Sequence, residues 1–343
     1  MPREIHNPPN RFFATECEYE EGATPLAELT PLEERAKSIL SANDSPDLGF
    51  RYSINPYRGC YHACAYCYAR PTHSYLGYGA GTDFDRKIVV KINAPELLRQ
   101  AFDKRSWRGE TIVFSGNTDC YQPLEAKYGL TRSLLEICYA YRNPVGLITK
   151  GSVIRRDIEL IAKLARDARC RVTVSIAFAD DASARAIEPG ASPISKRFET
   201  LRQLAEAGIP CGVSLAPVIP GLNDSHMPEI LERAKDAGAS HAFIVLLRLP
   251  LEVLPVFDER LQKAMPLRHA KVMNAIREMR GGKMYESEFK QRQIGHGERW
   301  KLIEQLFAMH VRRLGLNQGS TVMERENDAP TTFRRPDEQM TLF

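Results

Sequence analysis

Asn55-Pro56-Tyr57-Arg58-Gly59-Cys60-Tyr61-His62-Ala63-Cys64-Ala65-Tyr66-Cys67-Tyr68-Ala69-Arg70 holds three of the chain's eight cysteines within eight residues, at the spacing C-x3-C-x2-C. That density marks metal ligands rather than a disulfide framework. Thiolates hold iron–sulfur clusters, and a closed 4Fe–4S cube takes four of them. Three leave one iron open to a cofactor or substrate. Two other readings use the same residues. A Cys3His zinc site would be completed by His62 or His73. A closed ferredoxin-type site would recruit Cys120 once the chain has folded.

The cysteine stretch directly follows a short apolar run at 51–55. Further runs stand at 111–115, 145–149, 171–176, 211–215 and 242–247. Between them lie amphipathic segments at 94–102, 130–141, 154–165, 195–207 and 227–237. Gly208 and Gly238 come just past two of these, where helix-terminating glycines belong. Strands alternating with helices predict an α/β fold of right-handed βαβ units around a parallel sheet. Six units are too few for an eight-fold barrel and fit a partial barrel or a doubly wound sheet. In both, chemistry gathers at the carboxyl ends of the strands, and the cysteines already sit at one.

Residues 1–47 contain Pro8-Pro9 and an acidic run, and read as an extended arm. A short helix is expected near 31–40, capped by Thr30 and opened by Pro31. Residues 48–250 make the core and 251–317 a helical extension, with helices at 272–279 and 300–314. Residues 318–343, polar and aperiodic, read as a disordered tail.

Composition is that of an ordinary globular protein: 343 residues, 43% hydrophobic, 26% charged, net charge +4. No apolar run approaches the roughly 18 residues of a membrane span. No apolar segment follows Met1-Pro2-Arg3, so a cytoplasmic protein is expected. The charge is unevenly spread. Residues 1–50 hold ten acids against four bases, and residues 263–313 hold twelve Lys/Arg against five Glu. Such a basic third suits a polyanion, and a solvated helix surface looks the same. Cys138, Cys170 and Cys211, in apolar periodic segments, read as small buried hydrophobes.

Other chemistry-bearing residues also follow strands. The run at 111–115 leads into Gly116-Asn117-Thr118-Asp119-Cys120-Tyr121-Gln122-Pro123-Leu124-Glu125. Gly116 permits close approach of a ligand to the backbone, and Thr118 and Asp119 offer a hydroxyl and a carboxylate. A turn rich in Asn and Asp can also satisfy itself. Lys150 follows the third strand and suits a cofactor carboxylate. Ser175 closes the fourth and Arg248 follows the sixth.

C-x3-C-x2-C with an aromatic before its third cysteine, placed after the first of six strand–helix units, resembles the radical S-adenosylmethionine superfamily over about residues 50–247. The resemblance implies a partial (β/α)6 TIM-type barrel and a 4Fe–4S cluster on Cys60, Cys64 and Cys67. It implies S-adenosylmethionine on the open iron, cleaved reductively to a 5′-deoxyadenosyl radical, with an electron donor such as flavodoxin or ferredoxin. Tyr66-Cys67-Tyr68, Thr118-Asp119 and Thr149-Lys150 resemble the branch of spore photoproduct lyase and uncharacterised photolyase-like bacterial proteins. That implies a lyase or other radical reaction in DNA repair. In this branch, residues matching Tyr66, Tyr68, Thr118 and Lys150 lie around the cofactor, and Asp119 and Ser175 join them in the expected set. One departure matters. The branch's hydrogen-donating cysteine falls at Gly116 here. Cys120 lies four residues on, and with Tyr121 it is the expected catalytic pair, as a radical relay.

The chain ends Gln339-Met340-Thr341-Leu342-Phe343. This resembles the Q-L-x-L-F peptide by which bacterial proteins dock on the DNA polymerase sliding clamp, with Met in the second place. Leu342 and Phe343 suit an apolar pocket; chance, or packing on the chain's own domain, accounts for them equally. A radical enzyme acting on nucleic acid is the expectation. The alternatives are the same chemistry on a protein, tRNA or small molecule, and a non-enzymatic iron–sulfur electron-transfer or structural metal module.

Overall fold

The computed structural model describes residues 6–12, 28–318 and 330–336. Its strands are β1 (Thr30–Glu34), β2 (Leu40–Ala42), β3 (Tyr52–Ile54), β4 (Tyr57–Arg58), β5 (Lys87–Lys91), β6 (Ile112–Phe114), β7 (Val145–Thr149), β8 (Cys170–Ser175), β9 (Cys211–Val218) and β10 (His241–Leu246). Six of them, β3, β6, β7, β8, β9 and β10, pair side by side in sequence order, all parallel. These are the six expected strands, and they form the partial barrel. The antiparallel β2 lies along the outer edge of β3.

Helices Ala94–Asp103, Leu130–Ala140, Ile158–Asp167, Ile194–Glu206 and Met227–Asp236 fill the crossovers. Each lays an apolar stripe on the sheet, as Leu160, Ile161 and Leu164 do from the third. Gly208 and Gly238 end two of them at φ of 71° and 91°, a left-handed backbone that a Cβ would strain. Residues 152–157, expected as helix from 154 onward, form a tighter 3-10 turn before Ile158.

The helix expected near 31–40 is not there. Residues 30–34 are β1, which pairs in parallel with β5, while β4 flanks β5 on the other side in a separate three-stranded sheet. A helix cap contributes only about 1 kcal/mol, which a five-residue ladder along β5 readily overrides. The segment 30–42 is therefore woven into both sheets rather than being an extended arm.

The carboxyl-terminal extension has three long helices, Val253–Ala264, Pro266–Met279 and Gly297–Arg313; the first was not expected. Phe257, Leu261, Ile276 and Trp300 join the barrel's own core. The extension also covers β10, which ends the sheet. Asn317 acts as a partial strand there: its amide accepts from Ala242 N and donates to Ala242 O, both at 2.9 Å. An exposed strand edge is thereby blunted. Residues 330–336 do not behave as a disordered tail. Phe333 packs against Phe102 and Tyr141 at 5.7 and 6.0 Å between ring centroids. Thr331 Oγ1 donates to Gly109 O at 2.6 Å, and Arg335 Nη2 to Lys104 O at 2.8 Å. Burying Phe333 on an aromatic cluster offsets the ordering of this short segment. The peptide Gln339–Phe343 lies outside the described residues. No described helix is long and apolar enough to cross a membrane.

Candidate active site

Cys60, Cys64 and Cys67 sit on one loop beyond the carboxyl end of β3, just past β4. Successive tight turns shape it: Ala63 N donates to Cys60 O, Cys67 N to Cys64 O and Arg70 N to Cys67 O, each at 3.2 Å. Cys60 and Cys64 are buried, Cys67 is half-buried, and all three are free thiols. Burial pushes each thiol pKa up, and the neighbouring cysteines of the trio push Cys60 and Cys64 further. Such a set stays protonated until bound cations reverse the balance. Soft donors on one loop, near enough to act on one another electrostatically and largely withdrawn from water, suit an iron–sulfur cluster better than a single ion, for which no described group of three ligands is placed.

The other candidate ligands are engaged elsewhere. His62 turns Nδ1 to the Asp119 carboxylate at 3.3 Å. His73 Nε2 bonds Lys87 O at 2.8 Å. Cys120 is fully buried in the barrel core, beside Ser115. Each histidine keeps its second ring nitrogen, but among the described residues no three His, Cys, Asp or Glu side chains are grouped to hold a single metal ion, which counts against the Cys3His zinc reading.

The loop is held from three sides. From the polar loop after β6, Gln122 Oε1 accepts from Tyr61 N at 2.9 Å and its Nε2 donates to Gly59 O at 3.1 Å, so one amide brackets Cys60. From beneath, the fully buried Arg70 donates to Cys64 O at 2.9 Å, to Ala80 O and Gly81 O, and pairs with Asp85 at 2.9 Å. From the segment after β8, Ala65 N donates to Ile187 O and Gly190 N to His62 O, both at 3.0 Å. A Cβ on Gly190 would stand 2.0 Å from Tyr61 O. Gln122, Arg70 and Gly190 were not singled out in the sequence, where nothing local sets them apart.

Asp119, expected at the cofactor, is spent on the protein. Oδ1 accepts from Thr149 Oγ1 at 2.6 Å and Tyr121 N at 2.9 Å; Oδ2 accepts from Lys150 N at 2.7 Å and faces His62. Burial alone would raise this carboxyl, but the His62 ring and these donors outweigh it and hold it down at about 2. The Thr118 hydroxyl donates to Tyr57 O at 2.7 Å, leaving its oxygen only as an acceptor. The Tyr121 hydroxyl donates to the buried Asp157 at 3.2 Å. Fully buried and fixed, Cys120 and Tyr121 build the loop's foundation, and the relay expected of them has no exposed end.

Tyr66, Tyr68 and Lys150 do meet the cysteines. The Tyr66 hydroxyl donates to Glu188, which pairs with the buried Arg197 at 2.6 Å. The Lys150 ammonium lies 5.7 Å from the Tyr66 ring centroid, and its charge reaches Cys64 and Cys67. The Tyr68 hydroxyl donates to Gly116 O at 2.6 Å, and Arg248 lies over its ring at 5.9 Å. Ser175 accepts from Ser214 at 3.0 Å, at the paired ends of β8 and β9.

The radical SAM superfamily model matches residues 54–234, more than half of the chain. The chain belongs to the radical SAM superfamily. An uncharacterized protein of Mycobacterium tuberculosis is 41% identical over 204 residues, 59% of this chain and 60% of that relative. The match thus spans under two thirds of that relative's length. The spore photoproduct lyase of Bacillus subtilis is 26% identical over 178 residues, 51% of this chain and 48% of the lyase. A solved spore photoproduct lyase mutant with bound AdoMet and dinucleoside spore photoproduct shares the fold, with a TM-score of 0.58 at 17% identity, covering 83% of this chain and 80% of its own.

Proposed function

We propose that this chain is a radical SAM enzyme acting on nucleic acid, with Cys60, Cys64 and Cys67 holding a 4Fe–4S cluster. One observation carries the reading. Cys60 and Cys64 are buried and Cys67 half-buried; Lys150 stands within electrostatic reach of Cys64 and Cys67, and Arg248 lies over the adjacent Tyr68; neither cation forms an ion pair with any described residue. With S-adenosylmethionine bound, such a cluster supplies reductive cleavage to a 5′-deoxyadenosyl radical. Lys150 is the cation suited to the methionine carboxylate. Tyr66 and Tyr68 wall the site, fixed through Glu188 and Gly116 O. Ser175 and the Thr118 oxygen offer acceptors at the strand ends. Asp119 is a positioning residue: it ties the loop after β6 to the end of β7 and, through His62, to the cysteines.

The lyase similarity supports a nucleic-acid substrate and a repair-type reaction. The basic surface at 263–313 supports it less than its composition suggested. Lys263, Lys283, Arg292, Arg299, Lys301 and Arg313 each pair with an acid. The electron comes from a donor such as flavodoxin or ferredoxin, in the cytoplasm. Docking on a sliding clamp would use Gln339–Phe343. The described 330–336 segment lies beside Gly109, Arg142 and Ala168, ahead of β6, β7 and β8.

The test is anaerobic reconstitution followed by reduction with S-adenosylmethionine, with and without damaged DNA. Release of 5′-deoxyadenosine, raised by DNA, is expected. A fully loaded, reduced protein that leaves S-adenosylmethionine intact refutes the enzyme. Release that DNA does not change, with DNA affinity insensitive to salt, refutes the substrate class.

A further inference from the structure

Arg248 follows β10 at its carboxyl end, in the same mouth as the cysteine loop. Its Nε is buried without a hydrogen-bond partner. The fully buried guanidiniums of Arg70 and Arg197 face carboxylates, Asp85 and Glu188. Arg248 has none among the described residues. Its neighbour is a second cation, Arg280, whose guanidinium is taken up by the carbonyls of Leu247, Ile294, Arg292 and Gln291 at 2.7–3.2 Å. Burial and the Arg248 charge push Arg280 down to about 10. Uncompensated positive charge therefore collects at this strand end, and a bound anion would relieve it. The guanidinium is also positioned. It rests over the Tyr68 ring, which the hydroxyl bond to Gly116 O holds in place. A fixed planar fork with free donors is matched to phosphate oxygens.

We propose that Arg248 is the phosphate subsite of this enzyme, taking a backbone phosphodiester of the nucleic-acid substrate at the mouth of the barrel. The inference rests on the nucleic-acid reading above and adds the residue that engages the strand. The two cations then serve different ligands, Lys150 the cofactor beside Tyr66 and Arg248 the substrate beside Tyr68.

The experiment uses the anaerobically reconstituted full chain, with R248Q and R248K. The probes are a short oligothymidylate, its uncharged methylphosphonate analogue, S-adenosylmethionine and inorganic pyrophosphate. R248Q should weaken oligothymidylate about tenfold or more, the worth of a charged hydrogen-bond pair. It should lower the slope of log K against log salt by about 0.7, one single-strand phosphate. R248K should recover part of both. S-adenosylmethionine affinity should not change, and the methylphosphonate should bind all three proteins alike. Unchanged oligothymidylate affinity and slope in R248Q overturn the proposal. So does a selective loss of S-adenosylmethionine affinity, which would assign Arg248 to the cofactor. If wild type binds no oligonucleotide, pyrophosphate decides. A melting temperature raised by pyrophosphate in wild type but not in R248Q keeps the anion subsite and sinks the nucleic-acid reading. An equal response in both overturns the two together.

Discussion

Gln122→Leu tests whether the loop after β6 holds the cysteine loop in place. Gln122 is fully buried, and its amide spans the backbone on both sides of Cys60, accepting from Tyr61 N at 2.9 Å and donating to Gly59 O at 3.1 Å. Leucine fills similar space and offers neither group. A buried donor or acceptor stripped of its partner costs about 1–3 kcal/mol. With two stranded groups, and some relief from water, the variant should lose about 2–5 kcal/mol, a large part of a typical 5–15 kcal/mol stability. Urea unfolding of the metal-free protein measures that loss. Visible absorbance of the reconstituted protein measures how fast the cluster is lost, and it should be lost faster. Gln122→Glu keeps an acceptor for Tyr61 N but sets a buried carboxylate without a counter-ion against Gly59 O, so at neutral pH it should be at least as damaging. A leucine variant within about 0.5 kcal/mol of wild type, retaining its cluster equally long, would refute the claim that Gln122 positions Cys60.

Cys120→Ala should keep full iron content and an unchanged cluster spectrum, whereas Cys60→Ala should lose both; a cluster missing from the Cys120 variant would restore the four-cysteine reading. Arg70→Met strands the Asp85 carboxylate and the carbonyls of Cys64, Ala80 and Gly81 in the interior. It should destabilise the fold by about 3–5 kcal/mol, and an unchanged melting temperature counts against that. Burial, helped by Arg171, pushes His241 from 6.5 down to about 4. The unfolded chain therefore takes up a proton near pH 6.5 that the native protein refuses until near pH 4. Stability is complete above pH 6.5 and drops by up to ~3 kcal/mol on acidification. His241→Gln should flatten that fall, and identical slopes in the two proteins would contradict it.

What could be read from the chain was local. The six barrel strands declare themselves by apolar runs of strand length between helical stretches, and Gly208 and Gly238 by their place at helix ends. The cysteine trio is legible because all three ligands lie on one loop. The small sheet was hidden for the opposite reason. β1 is a strand only because β5, more than fifty residues later, lies beside it, and Thr30-Pro31 locally signals a helix start. The last segment misled in the same way, since its polar composition says nothing of the Phe102–Tyr141 surface waiting for Phe333.

The loop at 115–125 shows the division most clearly. By itself the sequence determined that polar groups follow β6 and face the cysteines, because strand order and spacing are written in the chain. It could not assign their partners. Asp119 and Gln122 reach across some sixty residues of sequence to His62, Gly59 and Tyr61, and only folding decides whether a carboxylate meets a ligand or a backbone amide. The tertiary structure turned an expected cofactor contact into scaffold. It left Lys150 and Arg248 as cations of the mouth with no acid among the described residues to neutralise them, and that follows from which side chains the fold brings within hydrogen-bond reach.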